Sequence, residues 1–329
     1  MKERLRSHFL AVLTILSLAA FGNLVSQQST RCVALITDLR GEVFVKAAQS
    51  GEFKKAAWGT QLYASDVVKT SNTGAVSILL SNNNLIELGP GSSMTISEGP
   101  GASQRKSRTI SGISSENLID LSGLTMRSTS EGELVALAGL RSVSLRPSVV
   151  LLAPRNSKIR PVTPTFSWQA SSSIKKFHIK VFDKSGMLWT KETDTTTFEY
   201  PLHEKRLRPG EMYFWQVEGA GRVETYPSGN VGFNVLSESE LDTLASQEQT
   251  LSEGFQADPT GSSFSFLLGT LYQQHGLLHE AIAKFEAVAQ RHPEAPKAYQ
   301  VLGKLYDDIG LKNKAINALQ KALELSEKQ

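Results

Sequence analysis

The feature that most constrains the fold is a pattern near the C-terminus that occurs twice. The motif L-G-x-x-Y-x-x-x-G spans residues 268–276 and recurs at residues 302–310, an offset of 34 residues (303 − 269 = 34). A repeat of about 34 residues is typical of stacked helical hairpins. The leucine and the tyrosine lie one helical turn apart on one face, and the glycine suits the left-handed backbone that ends a helix. The sequence therefore predicts two helical hairpins over residues 263–329.

These positions resemble the tetratricopeptide repeat, whose pattern continues with alanine, phenylalanine and proline. Ala281, Phe285 and Pro293 stand there in the first unit, and Tyr299 replaces the opening tryptophan in the second. The resemblance implies a non-catalytic helical array that binds a protein or peptide segment in a concave groove. A packing or dimerisation cap is the alternative. The groove positions that the family places on the first helix of each unit are Thr270, Gln273, Gln274, Lys304, Asp307 and Asp308.

The segment before the repeat predicts a further helix. Ser237 and Glu240 have the spacing of a capping box, in which each residue bonds the backbone of the other. Leucines follow at near-helical spacing. Because helical-hairpin arrays usually need about three or more units, we expect residues 237–262 to form a capping helix and linker over the exposed end of the array.

The N-terminal residues have the pattern of an export signal. Three basic residues precede a 13-residue apolar run at 9–21, as in a secretory signal peptide. Reading the run on to Val25 makes an uncleaved anchor an alternative, so residues 1–26 are predicted to be a signal peptide or an N-terminal anchor. This predicts a periplasmic or other extracytoplasmic location, with attachment to the inner membrane if the segment is retained. The single cysteine, Cys32, cannot form an internal disulfide.

Short alternating strands separated by turn residues predict an all-β module over residues 33–147. Its motifs are G-x-V at 41–43, Trp58-Gly59, D-V-V-K-T at 66–70 and G-P-x-S-x-M at 89–94. They resemble the FecR-like domain, a family named for a membrane-anchored signalling regulator. We expect residues 98–115 to be a loop, and residues 118–121 and 134–137 to be the closing strands.

Residues 148–236 predict a second β module of about seven short strands. The segment 207–217 resembles the corner before a late strand of fibronectin type III domains, within the immunoglobulin-like class. The resemblance implies that the Tyr213 hydroxyl bonds to upstream backbone. Trp168 and Trp215 are expected in the core. The predicted fold class is thus two all-β modules followed by an all-α tetratricopeptide array.

Composition and motifs give no support for catalysis. A net charge of +3 is too small to indicate nucleic-acid binding. His279-Glu280 begins like a zinc-protease helix, but Ala283 stands where the second histidine is required. The sequence also has no nucleophile elbow, cysteine pair or phosphate-binding loop. We therefore predict no enzyme, no cofactor and no metal.

The predicted function is an exported, non-enzymatic scaffold of the cell envelope that binds a protein partner through the helical hairpins. One alternative is a ligand or glycan sensor that binds through its β modules, which exposed tryptophans at Trp58, Trp189 or Trp215 would favour. Another is a membrane-anchored signalling regulator of the FecR type. The sequence leaves the partner, the pathway and the oligomeric state open.

Overall fold

The computed structural model describes residues 32–82, 84–97, 107–109, 148–160 and 163–328. Cys32–Gln329 forms one unit, in which β-structure precedes helices, so the predicted fold class is confirmed. The predicted export segment and the predicted strands at 118–121 and 134–137 lie outside the described residues. Among the residues that are described, no helix is long and apolar enough to cross a bilayer.

The first β region is a sandwich of two sheets. Its strands are β1 (Ala34–Arg40), β2 (Val43–Lys46), β3 (Lys54–Lys55), β4 (Gln61–Leu62), β5 (Val67–Thr70), β6 (Ala75–Leu80), β7 (Asn84–Leu88), β8 (Ser93–Thr95) and β9 (Ser107–Thr109). One sheet has the order β4-β1-β6-β7-β9 and the other β3-β2-β5-β8. The loop predicted at 98–115 is wrong at β9, which pairs with β7. An edge strand can form without an apolar run, because backbone pairing alone places it on the sheet.

The sheet that contains β1 is buried on both faces. Ile36 and Ile78 face the core between the two sheets, whereas Leu35, Leu79 and Leu85 belong to the core of the helical hairpins. Leu35 pairs with Leu79, and Leu79 with Leu85, so the three leucines form one row across the outer face. Successive side chains point to opposite faces of a strand, which explains how one short apolar run serves two cores.

The second β module is also a two-sheet sandwich. Its strands are β10 (Val149–Ala153), β11 (Ser157–Ile159), β12 (Thr165–Ala170), β13 (Lys176–Asp183), β14 (Gly186–Thr193), β15 (Thr197–Glu199), β16 (Met212–Ala220), β17 (Thr225–Pro227) and β18 (Val231–Val235). The sheets have the orders β10-β12-β15 and β11-β18-β16-β13-β14, and β17 pairs with β16. Apart from the parallel pairing of β11 with β18, the strands of both sheets pair antiparallel, as in an immunoglobulin-like sandwich.

Two predictions for this module are confirmed at the level of side chains. The Tyr213 hydroxyl accepts a hydrogen bond from the Arg208 backbone N–H at 2.8 Å, which is the predicted bond to upstream backbone. Trp168 and Trp215 are buried, and their rings lie 6.3 Å apart in the core. Aromatic packing of this kind replaces the disulfide that stabilises antibody domains.

Five helices follow within the described residues: α1 (Glu238–Gly254), α2 (Ser262–Gln274), α3 (Leu278–Arg291), α4 (Pro296–Asp308) and α5 (Lys312–Ser326). Gly276 and Gly310 have φ of 74° and 78°, so each hairpin turns on the left-handed backbone that the motif predicted. A Cβ on Gly269 would lie 2.9 Å from the Phe285 ring. Glycine at this position therefore lets the two helices of a hairpin approach closely.

Helix α1 begins with the predicted capping box. Ser237 Oγ accepts a hydrogen bond from the Glu240 N–H, and the Glu240 carboxylate accepts one from the Ser237 N–H at 2.8 Å. The helix buries Leu244 and Leu251 in the core that also holds α2. It thus packs against the first hairpin.

Candidate protein-interaction groove

One face of α2 runs from Ser263 through Phe266 and Thr270 to Gln274, at the three- and four-residue spacing that aligns side chains on a helix. The first half of this face is filled by the first β region. Trp58 packs edge-on against Phe266, with ring centroids 5.7 Å apart. Ser263 Oγ lies 2.8 Å from Thr37 Oγ1 on β1. The chain itself therefore occupies the apolar end of the groove.

The same turn of the first β region also reaches α4. A Cβ on Gly59 would lie 2.6 Å from Lys297 Cβ, so the Trp58-Gly59 turn fits against the first turn of α4. Burial lowers the pKa of Lys297. The Trp58 indole N–H donates to the Thr37 carbonyl at 2.9 Å, which fixes the ring between strand and helices. The Trp58-Gly59 turn thus supplies the groove contact here.

The six predicted groove residues lie farther along the two helices. Thr270 and Gln273 are half-buried, and Gln274 is exposed. The three residues on α4 are also exposed and lie within local ion pairs: Lys304 Nζ is 3.9 Å from Asp308 Oδ1, and Lys312 Nζ is 2.5 Å from Asp307 Oδ1. Partial burial raises the pKa of Asp308. The structure therefore leaves a polar strip at the ends of α2 and α4.

The second β module contacts the hairpins at their turns. Arg155 donates through Nε to the Ile309 carbonyl at 2.7 Å and through its second terminal nitrogen to the Gly310 carbonyl at 3.2 Å. The Lys158 N–H donates to the Gly276 carbonyl at 2.8 Å. These bonds satisfy carbonyls that a helix end leaves without partners. Nothing in the sequence around Arg155 indicates this contact, because the side chain acts on backbone groups that any residue supplies.

A charged cluster extends this contact to α1. Arg160 lies 4.8 Å from the centre of the Tyr272 ring and 2.9 Å from Glu248. Burial raises the pKa of Tyr272 to about 12. Lys158 Nζ is 2.5 Å from Glu240, and this bond with the capping box lowers the pKa of Glu240 to about 2. Polar contacts therefore join the second β module to α1 and to the first hairpin.

One cluster resembles a catalytic triad in composition. Ser262 Oγ lies 2.8 Å from His292 Nε2, and Asp38 Oδ1 lies 3.5 Å from the same nitrogen. A triad needs the serine and the carboxylate on different ring nitrogens, and Ser262 is fully buried. The cluster therefore joins β1 to the end of α3 and to α2 rather than presenting a nucleophile.

The histidines near the first hairpin turn serve separate contacts. His275 Nε2 lies 2.6 Å from Gln247, and His279 Nε2 accepts from the Arg155 N–H at 3.0 Å. Within the described ranges, no group of three or more metal-ligating side chains is found. The tryptophans proposed as glycan platforms, Trp58, Trp189 and Trp215, are buried. They offer no exposed face for stacking on a sugar.

The comparisons with known proteins agree with this description of the hairpins. A tetratricopeptide repeat family model matches residues 296–329, the second unit. No curated protein matches the chain, and no FecR family model matches it. The C-terminal hairpins are thus of the tetratricopeptide class, while the FecR-like resemblance stays a prediction.

Among solved structures, a crystal structure of MamA is 27% identical over 27% of this chain and 52% of the MamA chain, with a TM-score of 0.24. The chain spans about half the length of the MamA structures that it matches. The fibronectin(III)-like modules of Clostridium thermocellum CbhA are 11% identical over 60% of this chain and 77% of theirs, with a TM-score of 0.21. The FN3tt structure is 15% identical over 28% of this chain and 90% of its own, with a TM-score of 0.18.

Proposed function

We propose that the protein is a non-enzymatic interaction scaffold that binds a protein segment along the polar strip of its tetratricopeptide hairpins. The observation that carries this proposal is the division of the groove face. Its apolar end holds Trp58 of the same chain, whereas Gln274, Lys304 and Asp308 remain accessible at the other end. A partner would therefore bind with a short polar segment rather than along the whole groove.

The charges of the strip favour a partner segment that carries both signs. Lys304 and Asp308 are 47% and 37% exposed and lie 3.9 Å apart. An exposed pair of this kind contributes at most about 1 kcal/mol, so a partner can replace it at low cost. Asp307 is paired in the same way with Lys312, at the start of the next helix, so the strip offers charges of both signs that a partner can match.

The proposal includes a location in the cell envelope. The predicted export segment at residues 1–26 supports a periplasmic or extracytoplasmic site, with inner-membrane attachment if the segment is retained. The motifs at 41–43, 66–70 and 89–94 support a FecR-like first β region. In this proposal that region is a structural partner of the hairpins.

The test exchanges the charges of the Lys304–Asp308 pair in the strip. The double substitution Lys304→Glu with Asp308→Lys keeps an ion pair four residues apart, so the helix should lose little stability. We expect that the substituted protein no longer captures the partner when it is crosslinked in envelope extract, whereas the wild-type protein does. The midpoint of thermal unfolding should stay nearly unchanged. The matched control, Lys321→Glu with Glu324→Lys, swaps exposed charges on α5 and should retain the partner.

Two results would contradict the proposed groove: capture of the same partner by the swapped protein, or equal loss in the α5 control. Truncation before Ser237 is a poorer test. It removes the helices that cover Leu35, Leu79 and Leu85, so lost binding could reflect a damaged first β region.

A further inference from the structure

The second β module carries an exposed apolar surface at one end of its sandwich. We define this loop end as the turn at 183–186, the loop at 201–211 and the first residues of β14 and β16. Leu202 is 82% exposed, Met187 58% and Met212 47%. The module has a filled core of its own, so these side chains are not needed for its packing. Met187 and the exposed Phe214 both pair with Phe182, so apolar side chains of neighbouring strands lie side by side, and an exposed apolar patch marks an interaction surface.

Basic side chains surround the same surface. Lys184, Lys205, Arg206 and Arg208 line a cleft of about 160 Å³ together with two carboxylates, Asp183 and Glu211. Lys184 pairs with Glu211 at 3.1 Å, and the nearby Glu204 pairs with Lys191 at 3.2 Å. In the described part of the chain the structure records no ion pair for the other three basic residues of this set, so the loop end carries an excess of positive charge.

The loop is held in place by its own hydrogen bonds. The Tyr213 hydroxyl accepts from the Arg208 N–H at 2.8 Å, and the Tyr200 hydroxyl donates to the Lys205 carbonyl. The Gly210 N–H donates to the Val235 carbonyl at 2.9 Å. A surface fixed in this way loses little conformational freedom when it binds. The apolar and basic groups are therefore presented together before any partner arrives.

We propose that the loop end docks onto an anionic lipid bilayer. Apolar side chains that protrude beside basic ones enter the interfacial region while the cations contact acidic headgroups. An acidic protein segment is less well matched, because it would pair with the basic side chains but leave the exposed Leu202 and Met187 without an apolar partner. Met187 lies on β14, at the opposite edge of the sheet from β11, whose residues contact the hairpins. The polar strip would thus stay free at the membrane.

The test places a fluorescent label at the loop end of the full chain. Cys32→Ser removes the single cysteine, and Leu202→Cys then accepts an environment-sensitive dye. The matched control is Val223→Cys, a 98% exposed position between β16 and β17 at the other end of the sandwich. Vesicles of equal parts phosphatidylcholine and phosphatidylglycerol are compared with vesicles of phosphatidylcholine alone.

We expect a blue shift of the label at position 202 on the anionic vesicles only, and no shift at position 223. Changing Lys205, Arg206 and Arg208 to glutamine should weaken vesicle binding by about a hundredfold. The blue shift of the label at position 202 measures this binding. Because the readout is local, membrane insertion of residues 1–26 cannot produce it. Three results with vesicles would overturn the proposal: no shift of the label at position 202, equal shifts at positions 202 and 223, or equal shifts on both vesicle types. A shift at position 202 that appears when an acidic protein is added, but with neither vesicle type, would also overturn it.

Discussion

At the residue scale, His279 links two parts of the molecule through its neutral form. Its Nε2 accepts the Arg155 N–H at 3.0 Å, and burial lowers the pKa of His279 to about 4 from an ordinary 6.5. A lowered histidine pKa means that protonation opposes folding. The stability that the neutral ring contributes is complete above pH 6.5 and is lost as the pH falls from 6.5 towards 4.

We expect His279→Gln to remove this part of the pH dependence. Each pKa unit corresponds to about 1.4 kcal/mol, so up to about 3 kcal/mol of unfolding free energy is at stake between the two pH limits. Urea unfolding at a series of pH values measures it. His203→Gln, at an exposed histidine, controls for the loss of an imidazole. If the wild-type and His279→Gln curves stay parallel between pH 6.5 and 4, this role for His279 is wrong.

The sequence could predict the structural role of a residue where that role requires a particular residue type. The position of Gly276 requires a positive φ, and the corner at Tyr213 requires a hydroxyl, so each residue belongs to a motif that can be recognised in the sequence. Arg155 belongs to no such motif, because its partners are the backbone carbonyls of Ile309 and Gly310. The six groove positions could be placed on the right helices, but the filling of the apolar end by Trp58 could not be predicted.

At the element scale, α1 depends on its N-terminal cap. Ser237→Ala removes the hydroxyl that accepts the Glu240 N–H, and loss of such a cap costs about 1 kcal/mol. Amide exchange should quicken in the first turns of α1, with a matching loss in unfolding free energy. Ser246→Ala, at an exposed position inside the helix, should not destabilise, because alanine is the better helix former. Equal effects of the two substitutions would contradict the assigned cap.

Strands were predictable where side chains alternate or form short apolar runs. Residues 75–80 and 85–88 have this character, and the structure has β6 and β7 there. The continuous run at 78–80 also fits a strand that is buried on both faces. Its second partner, the helical hairpins, lies about 180 residues away along the chain. Local patterns carry no information about contacts at that separation.

At the scale of the whole molecule, two interfaces of different character hold the hairpins. The first β region meets them through an apolar core that includes Leu35, Trp58 and Phe266. The second β module meets them mainly through hydrogen bonds and ion pairs of Arg155 and Arg160, with Leu152 as a smaller apolar contact. Salt and acid weaken charged contacts more than apolar ones. The first β region and the hairpins should therefore remain joined under conditions that loosen the second module.

Because the first β region and the hairpins share one core, we predict that a substitution that destabilises the hairpins also destabilises the first β region. Phe266→Ala should destabilise the protein by about 3–5 kcal/mol and quicken amide exchange in β1, because Phe266 and Trp58 share one core. Ile179→Ala, fully buried in the separate core of the second module, is the control, and its exchange changes should stay in that module. Unchanged exchange in β1 of Phe266→Ala would show that the hairpins unfold independently. The groove would then be able to release Trp58 and accept a longer partner segment, so the same measurement also decides how much of the groove a partner can reach.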